Sequence, residues 1–206
     1  MSGERQEAPT SLFHQIESHL MEDDRPSMAL EALFGGPLPP EFDLLRRLKT
    51  TEQSPVYHPE GNVWNHTMLV VDEAAKRRGE SKSPKALMWA ALLHDVGKPD
   101  TTRVRRGKLT SYDHEKVGAK LARRFLSGFG VDPALTDRVC MLILYHMQPL
   151  FVEKGLPFAD VRGMKAHADV GEVALLGLCD RLGRLGTDPE AEAESIRRFL
   201  RKCGVA

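Results

Sequence analysis

Apolar positions along the chain recur at helical spacing and seldom alternate. Residues 63–77 place Val63, Thr67, Val70, Val71 and Ala74 on one side of a helix, the stripe expected of an element packed on a core. Residues 134–146 repeat the pattern with Leu135, Val139, Leu142, Ile143 and His146, and end before Pro149. The run 85–94, KALMWAALLH, is rich in strong helix formers and stops before Gly97 and Pro99. Residues 173–185 are apolar through most of their first half, which predicts a central helix. Residues 190–203 are charged with a narrow apolar face, as in a terminal surface helix. A helix over 114–129 has Asp113 as its expected N-cap, and three shorter helices are expected over 12–21, 27–34 and 41–49. The breaker Gly35-Gly36-Pro37-Leu38-Pro39-Pro40 separates the last two.

Ser83-Pro84, Asp132-Pro133 and Asp188-Pro189 read as helix starts, because the first residue can cap orphan amides and proline at the first helical position loses no hydrogen bond. Only residues 101–111, TTRVRRGKLTS, look strand-like, with a turn at Arg106-Gly107. The fold class expected is all-α with one short β-hairpin. Residues 1–30 form an N-terminal helical extension in this reading, and residues 31–206 the main domain, closed by the C-terminal surface helix.

A length of 206 residues suits one domain, and 41% hydrophobic with 28% charged residues is ordinary globular composition. Lys and Arg number 29, as do Asp and Glu. Zero formal charge argues against coating nucleic acid by bulk electrostatics, but leaves room for a nucleotide or an RNA end bound at a local basic patch. The three cysteines, Cys140, Cys179 and Cys203, form no CxxC pair, so neither a disulfide framework nor a cysteine zinc site is expected. The opening residues MSGERQEAPTS lack an apolar signal core, and no apolar run approaches the ~20 residues of a membrane span. These features point to a reducing, cytoplasmic compartment.

The candidate chemistry lies in the histidines, eight in all. His66 falls in the first turn of one helix, His94 and Asp95 end the next, His114 opens another, and His146 closes the helix that begins at Pro133. Asp180 sits in an apolar helix beside Leu176, Leu178 and Leu182. A carboxylate there is costly unless it is paired or bound to a cation. Arg181 and Arg184 are candidate partners for it, and a metal is the other solution. Imidazoles and carboxylates together suit several divalent ions.

The order His66, then His94-Asp95, then Asp180 resembles the HD-domain phosphohydrolase superfamily. Ala91-Leu92-Leu93-His94-Asp95-Val96-Gly97-Lys98-Pro99 is similar to its LLHDxGK core. His58-Pro59-Glu60-Gly61-Asn62-Val63-Trp64-Asn65-His66-Thr67 resembles the HPEGxVWxHT segment of the HD domain in bacterial tRNA nucleotidyltransferases. The resemblance implies an HD helical bundle and a metal site of His66, His94, Asp95 and Asp180. It implies that His114 and His146 either hold a second ion, with Asp95 bridging, or contact the phosphate. The cofactor implied is one or two divalent cations (Mn, Ni, Co, Fe, Mg or Zn). Lys98 matches a lysine that faces the scissile phosphate in family members; it also complements a helix C-terminus.

The activity implied is hydrolysis of phosphomonoesters or 2′,3′-cyclic phosphodiesters of nucleotides or RNA ends, with Asp95 and Lys98 at the chemistry. Lys98, Arg103 and Arg106 are the substrate-binding candidates. Partners expected are a nucleotide or phosphate ester and an RNA or tRNA end, with no membrane and the oligomeric state open. No polymerase head with a Gly-Ser loop and paired aspartates accompanies the HD segment, so CCA addition is not expected. The alternative is a non-catalytic nucleotide- or tRNA-binding HD module.

Overall fold

The computed structural model describes residues 8–205. The first seven residues of the N-terminal extension, and the signal-sequence reading made on them, lie outside the described residues. In chain order the helices open with α1 (Pro9–Glu22), α2 (Pro26–Leu33) and α3 (Asp43–Arg46), the last flanked by 3-10 turns. They continue with α4 (Val63–Lys76), α5 (Pro84–Leu93) and the short α6 (Lys98–Thr101). A hairpin of β1 (Arg103–Arg105) and β2 (Lys108–Thr110) follows, and then α7 (His114–Gly128) and α8 (Pro133–Tyr145). The chain ends with α9 (Gln148–Glu153), α10 (Val161–His167), α11 (Val170–Leu182) and α12 (Pro189–Lys202). Among the described residues the fold is all-α with one two-stranded ribbon, as the patterning predicts.

Helix α5 is the centre. Every residue from Ala86 to Leu93 is buried, so the helix is surrounded on all sides, as an apolar run without a polar face requires. α1, α4, α8 and α11 pack around it. From α4, Val63, Thr67, Val70, Val71 and Ala74 are all buried, the stripe read from the sequence. α1 docks through Phe13, whose ring stacks on Trp89 at 4.7 Å and on Phe129 at 4.5 Å. Glu17 on the same helix accepts from Trp89 Nε1 at 3.0 Å and from Lys85 Nζ at 2.8 Å.

Three expected details differ. Ser83 makes no side-chain cap to α5; its amide instead donates to Ser81 Oγ. Asp113 makes none to α7: its backbone is left-handed, at φ 60°, and its carboxylate takes Lys116 Nζ at 2.6 Å. The span 41–49 is not one α-helix: 3-10 turns at 40–42 and 47–50 flank the short α3. Asp132 and Asp188 do cap, accepting from the amides of Leu135 and Glu190 at 2.9 and 3.0 Å. The hairpin turns at Arg106 and Gly107, both with positive φ, the geometry that matches strand twist in a two-residue loop.

Two close helix approaches set the site. A Cβ on Gly97 would lie 2.1 Å from the His114 carbonyl oxygen and 2.7 Å from the Gly118 amide, so the start of α7 rests directly on the turn after α5. A Cβ on Gly183 would lie 2.5 Å from Val70 Cγ2, so the end of α11 rests on α4. One turn back from that contact, Asp180 on α11 meets His66 on α4.

Candidate metal centre

Six side chains on five elements converge beneath α5's C-terminal end. His66 comes from α4, Asp180 from α11, His94 and Asp95 from the turn after α5, His114 from the start of α7, and His146 from the end of α8. All six are buried, His66 and Asp95 to 0% and 1% exposure. His66 Nε2 lies 2.9 Å from Asp180 Oδ1, His94 Nε2 lies 3.2 Å from Asp95 Oδ2, and His114 Nε2 lies 3.4 Å from Asp95 Oδ1.

Backbone carbonyls fix three imidazoles. Nδ1 of His94 donates to the Ala91 carbonyl at 2.8 Å, that of His114 to Ser111 at 2.7 Å, and that of His146 to Ile143 at 2.7 Å. A carbonyl only accepts, so each Nδ1 carries a proton, and the His114 and His146 rings, which burial keeps neutral, turn bare Nε2 lone pairs inward. His114 Nε2 and His146 Nε2 then face each other at 3.2 Å. Burial lowers the pKa of both rings, that of His146 to about 3, where His114 and His94 add to the effect.

The carboxylates behave oppositely. Burial alone would push Asp95 and Asp180 up, yet both are held well below the usual range. For Asp95 the positive groups are His94 and Lys98, and for Asp180 they are Arg184 and His66. Among the described residues, five buried side-chain atoms lack a hydrogen bond: His66 Nδ1, His94 Nε2, both Asp95 oxygens and Arg184 Nε. Four of the five belong to this cluster, and the fifth is on Arg184, which pairs with Asp180. Lys98 Nζ at 2.7 Å from Asp95 Oδ2 and Glu60 Oε1 at 3.0 Å from His66 Nδ1 are ion-pair contacts without hydrogen-bond alignment.

Converging lone pairs and ionised carboxylates, buried and unpaired, would be costly on their own. They fit a divalent cation. Donor atoms of His66, His94 and Asp95 lie within 4.8 Å of one another, as do those of Asp95, His114 and His146. Two such triads sharing Asp95 have room for one ion or two.

A third group of the same kind is His58, Glu60 and His66. Glu60 accepts from His58 Nδ1 at 2.8 Å and flanks His66 on the side opposite Asp180. These neighbours offset burial and raise the His66 pKa, while burial and nearby cations lower that of His58 to about 4. Sequence reasoning gave neither His58 nor Glu60 a role, although both lie in the HPEG stretch.

The cluster floors a cavity of about 1130 Å³, lined also by Lys98, Arg105 and Arg184. Lys98 Nζ donates to Gln53 Oε1 at 2.6 Å, and Arg184 Nη2 donates to Asp180 at 3.1 Å. Arg181, the other candidate partner of Asp180, turns instead to Glu153, Glu192 and Ser195. Of the hairpin arginines, Arg105 lines the cavity and Arg103 and Arg106 do not. Arg103 folds back onto the Thr102 carbonyl at 2.7 Å.

The family model described as HD domain matches residues 63–185, more than half of the chain. A multifunctional CCA protein of Aromatoleum aromaticum is 47% identical over 155 residues, covering 71% of this chain and 35% of the relative. One from Actinobacillus pleuropneumoniae is 36% identical over 118 residues, covering 57% and 26%. One from Pseudomonas fluorescens is 32% identical over 143 residues, covering 67% and 32%. The chain thus spans about a quarter to a third of the length of these relatives. Among the described residues no helix is long and apolar enough to cross a membrane.

Proposed function

The chain belongs to the HD domain family, and on that premise we propose that it hydrolyses phosphomonoesters or 2′,3′-cyclic phosphodiesters of nucleotides or RNA ends with a divalent cation. One observation carries the reading: the buried unpaired side-chain atoms among the described residues lie on His66, His94 and Asp95 of one His/Asp cluster and on Arg184 beside it, at the floor of one large cavity. In this reading His66, His94, Asp95 and Asp180 would hold the first ion, and His114 and His146 together with Asp95 would hold a second.

A divalent cation there supplies Lewis acidity, lowering the pKa of water from about 16 toward about 7 and drawing charge from a phosphoryl oxygen. The protein does the rest. Asp95 and Asp180 stay ionised, so no proton competes for their oxygens. His114 and His146 stay neutral, each with Nε2 free to donate its lone pair. Lys98 and Arg105 line the cavity and take the phosphate oxygens, a charge-assisted contact that orients the ester. Arg103 and Arg106, exposed on the same hairpin, add attraction at longer range. The described part of the N-terminal extension, residues 8–30, serves as a cap on the rest of the described fold. A cytoplasmic setting goes with the same reading, since Cys140, Cys179 and Cys203 are free thiols.

The test is an assay of 2′,3′-cyclic and 2′-phosphate nucleotides with Mn²⁺, Ni²⁺ or Mg²⁺, beside an Asp95→Ala variant. Metal-dependent product from the wild type and at least a hundredfold less from the variant is expected. Nucleotide affinity without product would establish a binding module instead, and full activity of the variant would remove the proposed chemistry.

A further inference from the structure

The aromatic side chains of this protein are distributed in two ways. Most are packed in the core, around Phe13, Trp89 and Phe125. The rest gather at the cavity. All three tyrosines of the chain, Tyr57, Tyr112 and Tyr145, line it, together with Phe151 and Phe158. Among the described residues, the large apolar side chains that are exposed include three aromatic ones: Tyr57 at 69%, Tyr112 at 56% and Phe158 at 58%. All three stand on this rim. Exposed rings collected around one opening, with no other exposed phenylalanine, tyrosine or tryptophan ring among the described residues, mark a binding surface.

The rings are mounted on three separate loops, each held in place. Phe158 is fixed by the buried Gln148, whose Nε2 donates to the Phe158 carbonyl at 3.2 Å and whose Oε1 accepts from the Asp160 amide at 2.7 Å. Phe151 backs it, with centroids 5.5 Å apart. Tyr112 has the Arg105 guanidinium 5.2 Å from its ring centre, which places a cation beside a stacking face. Tyr57 closes a turn in which its amide donates to the Ser54 carbonyl at 3.1 Å.

Building on the phosphohydrolase reading, we propose that this rim is a stacking subsite for two or more bases of a single-stranded oligonucleotide, whose terminal phosphate reaches the floor. The cavity of about 1130 Å³ exceeds the roughly 300–1000 Å³ of ordinary small-molecule sites. Arg105 stands beside the Tyr112 ring and Lys98 lines the floor, while carboxylates of Glu52, Asp113, Glu115 and Asp160 share the lining, so phosphate contacts are local and the rings carry the binding. Stacking on exposed rings accepts any base, so recognition is by single-strandedness and chain end, with little sequence preference.

The experiment is calorimetric binding of single-stranded RNA of one, two and three nucleotides, each with a 3′-terminal phosphate, to the full chain with and without Mn²⁺. The trinucleotide should bind at least tenfold more tightly than the mononucleotide. Phe158→Ala and Tyr112→Ala should each cut trinucleotide affinity by roughly 5- to 100-fold, bringing the trinucleotide-to-mononucleotide ratio toward one. Both rings are more than half exposed, and a thermal melt of each variant confirms that the core is intact. Equal affinity for one and three nucleotides, or an unchanged ratio in both variants, would overturn the subsite. Turnover of mononucleotides without any length dependence would leave the hydrolase reading standing and the subsite refuted. Length-dependent binding without turnover would do the reverse.

Discussion

Nε2 of His114 and Nε2 of His146 face each other at 3.2 Å, and neither ring has a proton to place between them. Each Nδ1 already donates its proton to a backbone carbonyl. Two opposed lone pairs in a buried site repel. The ring orientations persist because the carbonyls of Ser111 and Ile143 hold them, so the protein spends two hydrogen bonds on aiming two bases at one point. That is the arrangement by which metal-binding histidines are oriented through their other nitrogen.

Glu60 sits at Nδ1 of His66 where a carbonyl sits for the other rings, but as an ion-pair contact at 3.0 Å without hydrogen-bond alignment. Its carboxylate, held at about 2 by His66 and His58 against the effect of burial, flanks Nδ1 while Nε2 faces Asp180. Glu60→Gln is expected to lower divalent-cation affinity by about 10- to 100-fold with little loss of fold. Calorimetric titration with Mn²⁺ measures it; unchanged affinity would show that Glu60 has only a packing role.

Gly97 is required by space. A methyl group at this position would overlap the His114 carbonyl, and backbone cannot step aside as a flexible side chain can. Gly97→Ala should destabilise by about 1–3 kcal/mol through overpacking and shift His114 away from Asp95. Denaturant unfolding together with a metal titration should show both losses. A stability loss with unchanged metal affinity would separate the glycine from the site.

Phe13 tests whether the first helix belongs to the core. Its ring lies between Trp89 and Phe129, both within 5 Å. Phe13→Ala should cost about 3–5 kcal/mol, the range for a buried phenylalanine. A loss below about 1 kcal/mol in urea unfolding would mean that α1 is an appendage and not a cap.

Glu153 sets part of the acid stability. Burial raises its pKa, but hydrogen bonds from Ser195, Arg198 and Arg181 outweigh that and hold it at about 2. A lowered carboxyl pKa contributes stability that is complete above the unfolded value near 4.5 and is lost as pH falls toward about 2. The contribution is on the order of 2 kcal/mol. Unfolding free energies at pH 7 and pH 3 should converge between wild type and Glu153→Gln at the lower pH. A constant gap would contradict the assignment.

Helical periodicity carries α4, α5 and α8 because each buries a stripe or a whole surface, and the HD motif residues lie at the ends of those helices. What periodicity cannot carry is contact between segments. His58 and Glu60 sit in a loop without repeat, and only its fold back onto α4 brings them to His66. α9 and α10 are too short for a stripe, and Pro149, which reads as a stop, begins α9 instead. On the hairpin, Arg103 and Arg105 share a strand face, yet only Arg105 lines the cavity because Arg103 is drawn to the Thr102 carbonyl. With every β1 residue exposed, no burial pattern in the sequence could separate them.

The most direct test is elemental analysis of the full chain purified without chelator, beside the Asp95→Ala/Asp180→Ala double variant. One or two equivalents of a divalent metal in the wild type, absent from the variant, is the predicted result; two equivalents would place an ion between His114 and His146. No metal in the wild type even after incubation with excess Mn²⁺ or Ni²⁺, or equal metal in the variant, would contradict a cation site at this cluster.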